Sequence, residues 1–191
     1  MERDAEWGLS VLELLVGLAI AFILTCISLG SFRSTLYKSE VETAYTVSIG
    51  KLQQARQAAV VERRVYVMTF TLPRNIQIER VEPDATLTPV SQDDLPYQVE
   101  FRTEPGIPTA PTKTPDQFGT GSAAIDLNGS NRIYFQVDGS AMDAGGHVCN
   151  GVIYLARAGD LTTVRALTLL GLTGRIKGWR LTRQGSDLVW K

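Results

Sequence analysis

The run from Leu9 to Leu29 is apolar apart from one carboxylate, Glu13. At 1.5 Å per helical residue the stretch from Leu9 to Gly30 reaches about 33 Å, enough to cross a hydrocarbon core of roughly 30 Å. An ionised side chain at a bilayer centre costs roughly 2.5–3.5 kcal/mol, so an acid there marks a functional position and needs a cation, a proton or water beside it. No second run of this kind follows. The sequence therefore predicts a single membrane pass with one modest globular domain behind it.

The surrounding residues read Trp7-Gly8-Leu9-Ser10-Val11-Leu12-Glu13-Leu14-Leu15-Val16. A glycine, four uncharged residues and a glutamate open a long apolar helix. This resembles the type III signal of type IV pilins and type II secretion pseudopilins. The resemblance implies a prepilin peptidase cut between Gly8 and Leu9 and N-methylation of Leu9. It also implies that Glu13 neutralises the α-amino group of residue 9 on a neighbouring subunit. Two departures stand out: Leu9 occupies a place where pilins usually carry Phe, and Met1–Trp7 holds Glu2, Asp4 and Glu6 against Arg3 alone. An ordinary secretory signal, cut near Ser28-Leu29-Gly30, would want a basic leader and no Glu13. A lipoprotein signal at Ile23-Leu24-Thr25-Cys26 has Thr25 at a poorly matching position and the same acidic leader.

No helix breaker follows Gly30, and the pattern runs on through Phe32, Leu36, Val41, Ala44, Ser48, Leu52, Ala55 and Ala59. These recur at three- and four-residue spacing, one face of an amphipathic helix. Lys38, Glu42, Lys51, Gln54 and Glu62 lie opposite, toward solvent. One helix is expected from about Leu9 to about Arg63. The β-branched and aromatic run Val65–Leu72 reads as a strand ended by Pro73, followed by a second at Asn75–Val81. From Glu82 to Ser122 the chain is rich in proline and threonine and reads as a long insertion, with one strand at Tyr97–Arg102. Asp93-Asp94 within it reads as a solvated loop. Strands at Arg132–Val137, Gly151–Ala156, Thr163–Leu170, Lys177–Thr182 and Asp187–Trp190, with Asp-Gly and Gly-Asp turns, predict an antiparallel meander closing one sheet.

The chain carries no catalytic signature: G-x-S-x-G, P-loop, H-E-x-x-H and G-x-G-x-x-G are all missing from the sequence. Cys26 and Cys149 do not form a disulfide framework, one falling in the membrane run and the other in the distal domain. Cys149 reads as a buried small hydrophobe. His147, the sole histidine, would share a face with it on a strand, but no third group orients the pair. The reading is a protein that is not an enzyme, with no cofactor and no metal.

Three further segments, Ala55-Arg56 on the helix, Phe135-Gln136-Val137-Asp138-Gly139 and Gly174-Arg175-Ile176-Lys177, resemble the GspH/FimT group of pilin-like proteins. The resemblance implies an α+β, pilin-like fold, with a long N-terminal α-helix packed on a C-terminal antiparallel β-sheet domain. It implies a leader at 1–8, a transmembrane helix at 9–30, an amphipathic continuation at 31–64 and a periplasmic β-rich domain at 65–191, with the Pro-rich insertion at about 82–122. The implied role is a minor pseudopilin of a type II secretion pseudopilus. Its partners would be other pseudopilins or pilins, the prepilin peptidase and the bacterial inner membrane. Charge suggests a second role. A balanced total of 19 Lys+Arg and 20 Asp+Glu hides an acidic middle and a basic tail, with Arg165, Arg175, Lys177, Arg180, Arg183 and Lys191 facing only Asp187. In some FimT-like minor pilins a C-terminal Gly-Arg-x-Arg binds DNA during uptake. Arg175, Lys177, Arg180 and Arg183 are the candidate nucleic-acid contacts here, on a loop made flexible by Gly171, Gly174 and Gly178. The alternative is a basic edge strand whose Trp179 and Trp190 pack in the sheet.

Overall fold

The computed structural model describes residues 11–191, except for the side chains of residues 26–35. The expected leader and the Gly8–Leu9 cut lie outside the described residues, as do the side chains of Cys26 and Phe32. The chain divides into two units, Met1–Tyr37 and Lys38–Lys191. Helix α1, Val11–Glu62, is 52 residues long. No proline precedes Pro73, so nothing in the sequence interrupts its backbone bonds. It stops at Arg63, which adopts a left-handed conformation (φ 52°), while the Arg64 N–H donates to the Ala59 carbonyl at 3.2 Å. That is a Schellman closure, with arginine where glycine is usual.

In the first unit, every large apolar side chain from Val11 to Leu24 is exposed. Among the described residues no helix is long and apolar enough to cross a membrane. The expected span 9–30 also includes residues 9 and 10 and the side chains of 26–30, which lie outside the described residues.

In the second unit, α1 buries Val41, Ala44, Ser48, Leu52, Ala55 and Ala59. Small residues dominate this stripe and let the backbone approach the sheets closely. Leu36, assigned to the same stripe by periodicity, is instead exposed. Two charged residues expected to face solvent also turn inward. Lys51 donates to Ser91 Oγ at 2.7 Å and pairs with Asp93 at 2.6 Å. Glu42 pairs with Arg180 and lies 3.6 Å from Arg165. Long side chains reach around a helix flank to charges on neighbouring strands, which helical periodicity does not register.

The strands are β1 (Tyr66–Thr71), β2 (Asn75–Val81), β3 (Leu87–Asp94), β4 (Glu100–Phe101), β5 (Ile125–Leu127), β6 (Arg132–Phe135), β7 (Ala141–Met142), β8 (Gly151–Ala156), β9 (Arg165–Leu170), β10 (Arg175–Gln184) and β11 (Asp187–Trp190). They make two antiparallel sheets rather than the expected single meander. One has the order β3-β2-β1-β6-β7 and the other β11-β10-β9-β8-β4, with β5 also paired to β8. Strand β3 runs through the segment read as a loop-like insertion. Its proline, Pro89, sits on the sheet edge opposite a register shift at Ile78/Glu79, where a missing N–H breaks no ladder. Asp93 and Asp94 therefore belong to a strand, and the Lys51 hydrogen bond, with help from Ser91, holds the Asp93 carboxyl below its usual range.

One core lies between α1 and both sheets, and includes Leu52, Phe70, Phe135, Ile153 and Leu167. Phe70 and Phe101 meet edge to face at 5.5 Å and stitch the two sheets together. A second cluster lies on the other face of the second sheet, around Val152, Tyr154, Ala166 and Leu181, with Trp179 and Trp190 packed against it. Strand β8 contributes to both clusters, and all six of its residues are buried.

Truncating Leu52 to Ala should cost about 2–5 kcal/mol, because a fully buried side chain leaves a cavity in that core. Leu52→Asp should abolish cooperative unfolding in urea, whereas Gln54→Asp on the exposed face should stay within about 0.5 kcal/mol of the parent.

Candidate functional site

Glu13 lies in the first turn of α1, exposed among exposed apolar neighbours. A carboxylate at a helix N-terminus is favoured by the helix dipole. Contiguous exposed apolar surface marks a membrane or protein contact site rather than ordinary solvated surface. Gly8 and Leu9, its expected companions, lie outside the described residues.

The four candidate nucleic-acid contacts, Arg175, Lys177, Arg180 and Arg183, all fall on β10, but the structure does not gather them into one patch. A strand sends alternate side chains to opposite faces. Arg175 and Lys177 share the face that carries Leu181 and the second core cluster. Arg180 is on the other face, where it pairs with Glu42 and lies 5.9 Å from the Tyr45 ring. Arg175 sits 3.3 Å from Asp116, and Lys177 Nζ lies 3.6 Å over the Trp179 ring. Arg183 is exposed near the β10–β11 turn. The glycines are not the hinges of a flexible loop. Gly178 is mid-strand, paired with Leu167, and a Cβ there would overlap the Tyr45 hydroxyl. Gly171 is packed against the carbonyls of Ala141 and Cys149. A glycine inside a strand signals close approach by a neighbour, and here that neighbour is Tyr45.

The three segments that resemble the GspH/FimT group do meet. Arg56 Nε donates to the Gly139 carbonyl at 3.0 Å, and its terminal nitrogen donates to the Thr173 carbonyl at 3.0 Å. Gly139 (φ 82°) and Gly174 (φ 62°) both occupy the left-handed region. A Cβ on Gly174 would overlap the Gly139 carbonyl oxygen and crowd Arg56. One guanidinium therefore clamps the turn after β6 to the turn before β10, tying the two sheets to the helix.

Cys149 and His147 do not form a working pair. Cys149 is fully buried, and desolvation pushes its thiol up to about 11. His147 is 81% exposed and lies 3.4 Å from Asp143. Among the described residues no cluster of three or more His, Cys, Asp or Glu side chains is placed to hold a metal ion. Sequence reasoning missed Asp116, which accepts from Thr168 Oγ at 2.5 Å besides meeting Arg175. No local pattern marks it, because its partners are more than fifty residues away.

No protein-family model and no curated protein sequence matches the chain. The fold does have counterparts. It is similar to the minor pseudopilin EpsH from the type 2 secretion system of Vibrio cholerae, with a TM-score of 0.50 and 10% identity, over 74% of this chain and 97% of EpsH. It is also aligned with the type IV minor pilin FimU of Pseudomonas aeruginosa, with a TM-score of 0.43 and 15% identity, over 82% of this chain and 94% of FimU. The fold is therefore pilin-like, an N-terminal helix packed on antiparallel sheet, and it is the fold of a minor pseudopilin.

The clamp makes a sharp expectation. Gly174→Ala should destabilise by more than about 1 kcal/mol from backbone strain alone, and Arg56→Ala by about 1.5–3 kcal/mol from the loss of charge-assisted bonds. In a thermodynamic cycle measured by chemical denaturation, the two changes should be less than additive, since both open the same contact.

Proposed function

We propose that this chain is a minor pseudopilin of a type II secretion pseudopilus, supporting protein secretion from the bacterial inner membrane. On this reading residues 1–8 are a leader removed by the prepilin peptidase. Residues 9–30 anchor the subunit as a single membrane pass, residues 31–64 continue the helix, and residues 65–191 form a periplasmic domain. The observation that carries the proposal is the exposed apolar surface of α1 from Val11 to Leu24, interrupted by Glu13, on a chain with the fold of a minor pseudopilin. That surface needs lipid before assembly and neighbouring helices after it. Glu13 then supplies the charge that an incoming α-amino group at residue 9 requires.

A second feature supports lateral packing. The exposed side of α1 between Thr43 and Val61 is uncharged, formed by Thr43, Thr46, Gly50, Gln53, Gln54, Gln57 and Val61. Ordinary solvated helix faces are rich in charge. Here the nearby charges of Glu42, Lys51 and Arg56 are all engaged with the domain.

Mass spectrometry of the protein from its native membrane should find an N-terminus at Leu9, methylated; an intact Met1 would refute the processing step. Glu13→Leu should still insert, yet its co-purification with other pseudopilins should fall by about tenfold, the equivalent of one charge-assisted contact.

The alternative is a type IV minor pilin that takes up DNA through Arg175, Lys177, Arg180 and Arg183. The division of these bases between two faces, and the engagement of three of them, favours the pseudopilin reading. An electrophoretic shift assay at about 50 mM salt, where phosphate contacts are strong, should show no retarded DNA. A shift that weakens steeply with salt and is lost in an Arg175→Gln, Lys177→Gln double variant would reverse the preference.

A further inference from the structure

A cavity of about 470 Å³ lies over the outer face of the second sheet, between the β10–β11 hairpin and the segment 112–117. Its volume falls within the roughly 300–1,000 Å³ of small-ligand sites. The segment is anchored to the sheet at Asp116, which accepts from Thr168 Oγ of β9 at 2.5 Å and meets Arg175 of β10 at 3.3 Å. Thr168 Oγ in turn accepts from the Trp179 indole N–H at 3.0 Å. This relay from Trp179 through Thr168 to Asp116 fixes one wall of the cavity against the other. Asp116 (φ 50°) and Gln117 (φ 62°) are successive non-glycine residues in the left-handed region. Such strain persists only where the surroundings over-determine it, and it gathers at binding sites.

Two indoles line this cavity, Trp179 and Trp190, together with Leu188. All three fall on the outer face. Trp179 and Leu181 are two residues apart on β10, Leu181 stands opposite Trp190, and Leu188 is two residues from Trp190 on β11. Trp190 leans on Tyr154 of β8, with ring centroids 5.8 Å apart. Lys177 Nζ covers one face of the Trp179 ring but is no part of the cavity wall, so Trp179 meets the cavity on a side that Lys177 leaves open. The Trp190 indole N–H is buried without a hydrogen-bond partner among the described residues. A buried donor of this kind calls for an acceptor, and the relay that satisfies Trp179 does not reach it.

We infer that this cavity binds a neutral sugar of one or two pyranose rings. Such a ligand has an apolar C–H face and a rim of hydroxyls, and the walls divide the same way. Trp179, Leu188 and Trp190 offer the apolar seat, while Thr112, Asp116 and Gln117 carry polar groups on the facing segment. A hydroxyl both donates and accepts, which matches an amide, a carboxylate and an unpartnered indole N–H in one site. The charges disfavour an ionic ligand. Asp116 is already met by Arg175, and Lys113 stands against Asp187. An anion would face those carboxylates, and a cation would face the ammonium. A wholly apolar ligand would leave the Trp190 N–H unpaired, which is the costly arrangement for a buried donor. This inference rests on the outer face of the second sheet and is independent of the assembly role of α1.

The test uses the full chain in a detergent without a sugar head group. The probes are maltose, cellobiose and N,N′-diacetylchitobiose, each also as its methyl glycoside. At millimolar concentration at least one should shift the Trp190 indole N–H signal in NMR saturably; the signal is identified by its loss in Trp190→Phe. That variant keeps an aromatic ring and removes the N–H, so calorimetry should show binding weakened about tenfold. Its thermal unfolding without sugar should match the parent, because no bond within the protein is lost. Gln117→Gly suits the left-handed backbone and removes the amide, and should also bind about tenfold more weakly. It keeps the comparison decisive should the phenylalanine variant fold poorly. Binding of a methyl glycoside as tight as its parent supports the proposal with a glycan chain end as the source, and loss on methylation supports it with a free sugar. No shift with any probe, or unchanged affinity in both variants, overturns the proposal. So does a shift of the Trp190 signal by glucuronate, choline or a proline-rich tripeptide when none of the sugars gives one.

Discussion

The fold depends on one stripe of α1. Val41, Ala44, Ser48, Leu52, Ala55 and Ala59 form the lid of a core whose walls are two different sheets. Neither sheet buries that face by itself, so the helix residues from Val41 to Ala59 are part of the domain rather than a tether to it. Small side chains on the stripe bring the helix backbone close, and the Arg56 guanidinium then reaches two turns that belong to different sheets. Anything that positions this part of the helix positions the domain with it.

The charges follow the same logic. Along the sequence an acidic middle precedes a basic tail, an arrangement that suggests a bipolar surface. In three dimensions most of these charges find each other locally. Glu82 meets Arg64 and Arg80, Glu100 and Glu104 meet Arg102, and Arg180 meets Glu42. Such pairs between partly exposed side chains contribute modestly to stability. Their larger consequence is what remains outside them, an uncharged face of the helix.

Much of this architecture is legible in the residues. The absence of proline before Pro73 and the three- and four-residue recurrence of Val41, Ala44, Ser48, Leu52, Ala55 and Ala59 mark a long helix with one buried face. The β-branched runs at Tyr66–Thr71 and Gly151–Ala156 mark strands. Strand β3 escapes this reading because Leu87–Asp94 contains a proline and lacks alternation; it exists because β2 offers it an edge. Strands β5 and β7 are too short to carry a periodic signal; β5 persists through the more distant β8, and β7 through β6 across a short turn.

The sequence by itself determined the local grammar: where the helix runs and ends, which of its faces is apolar, where most strands lie, and that an acid interrupts an exposed apolar segment. These follow from side-chain periodicity and backbone preference, which act over a few residues. Tertiary structure decided everything that needs two distant segments. It placed β6 beside β1 and so split the strands into two sheets. It turned Lys51 and Glu42 inward, and it set Gly178 beneath Tyr45. It divided the basic residues of β10 between two faces, and it brought Asp116 to Thr168 and Arg175 from more than fifty residues away. The physical reason is common to all of these: direction and pairing are properties of a packed neighbour, and no residue carries its neighbour's identity in its own place in the chain.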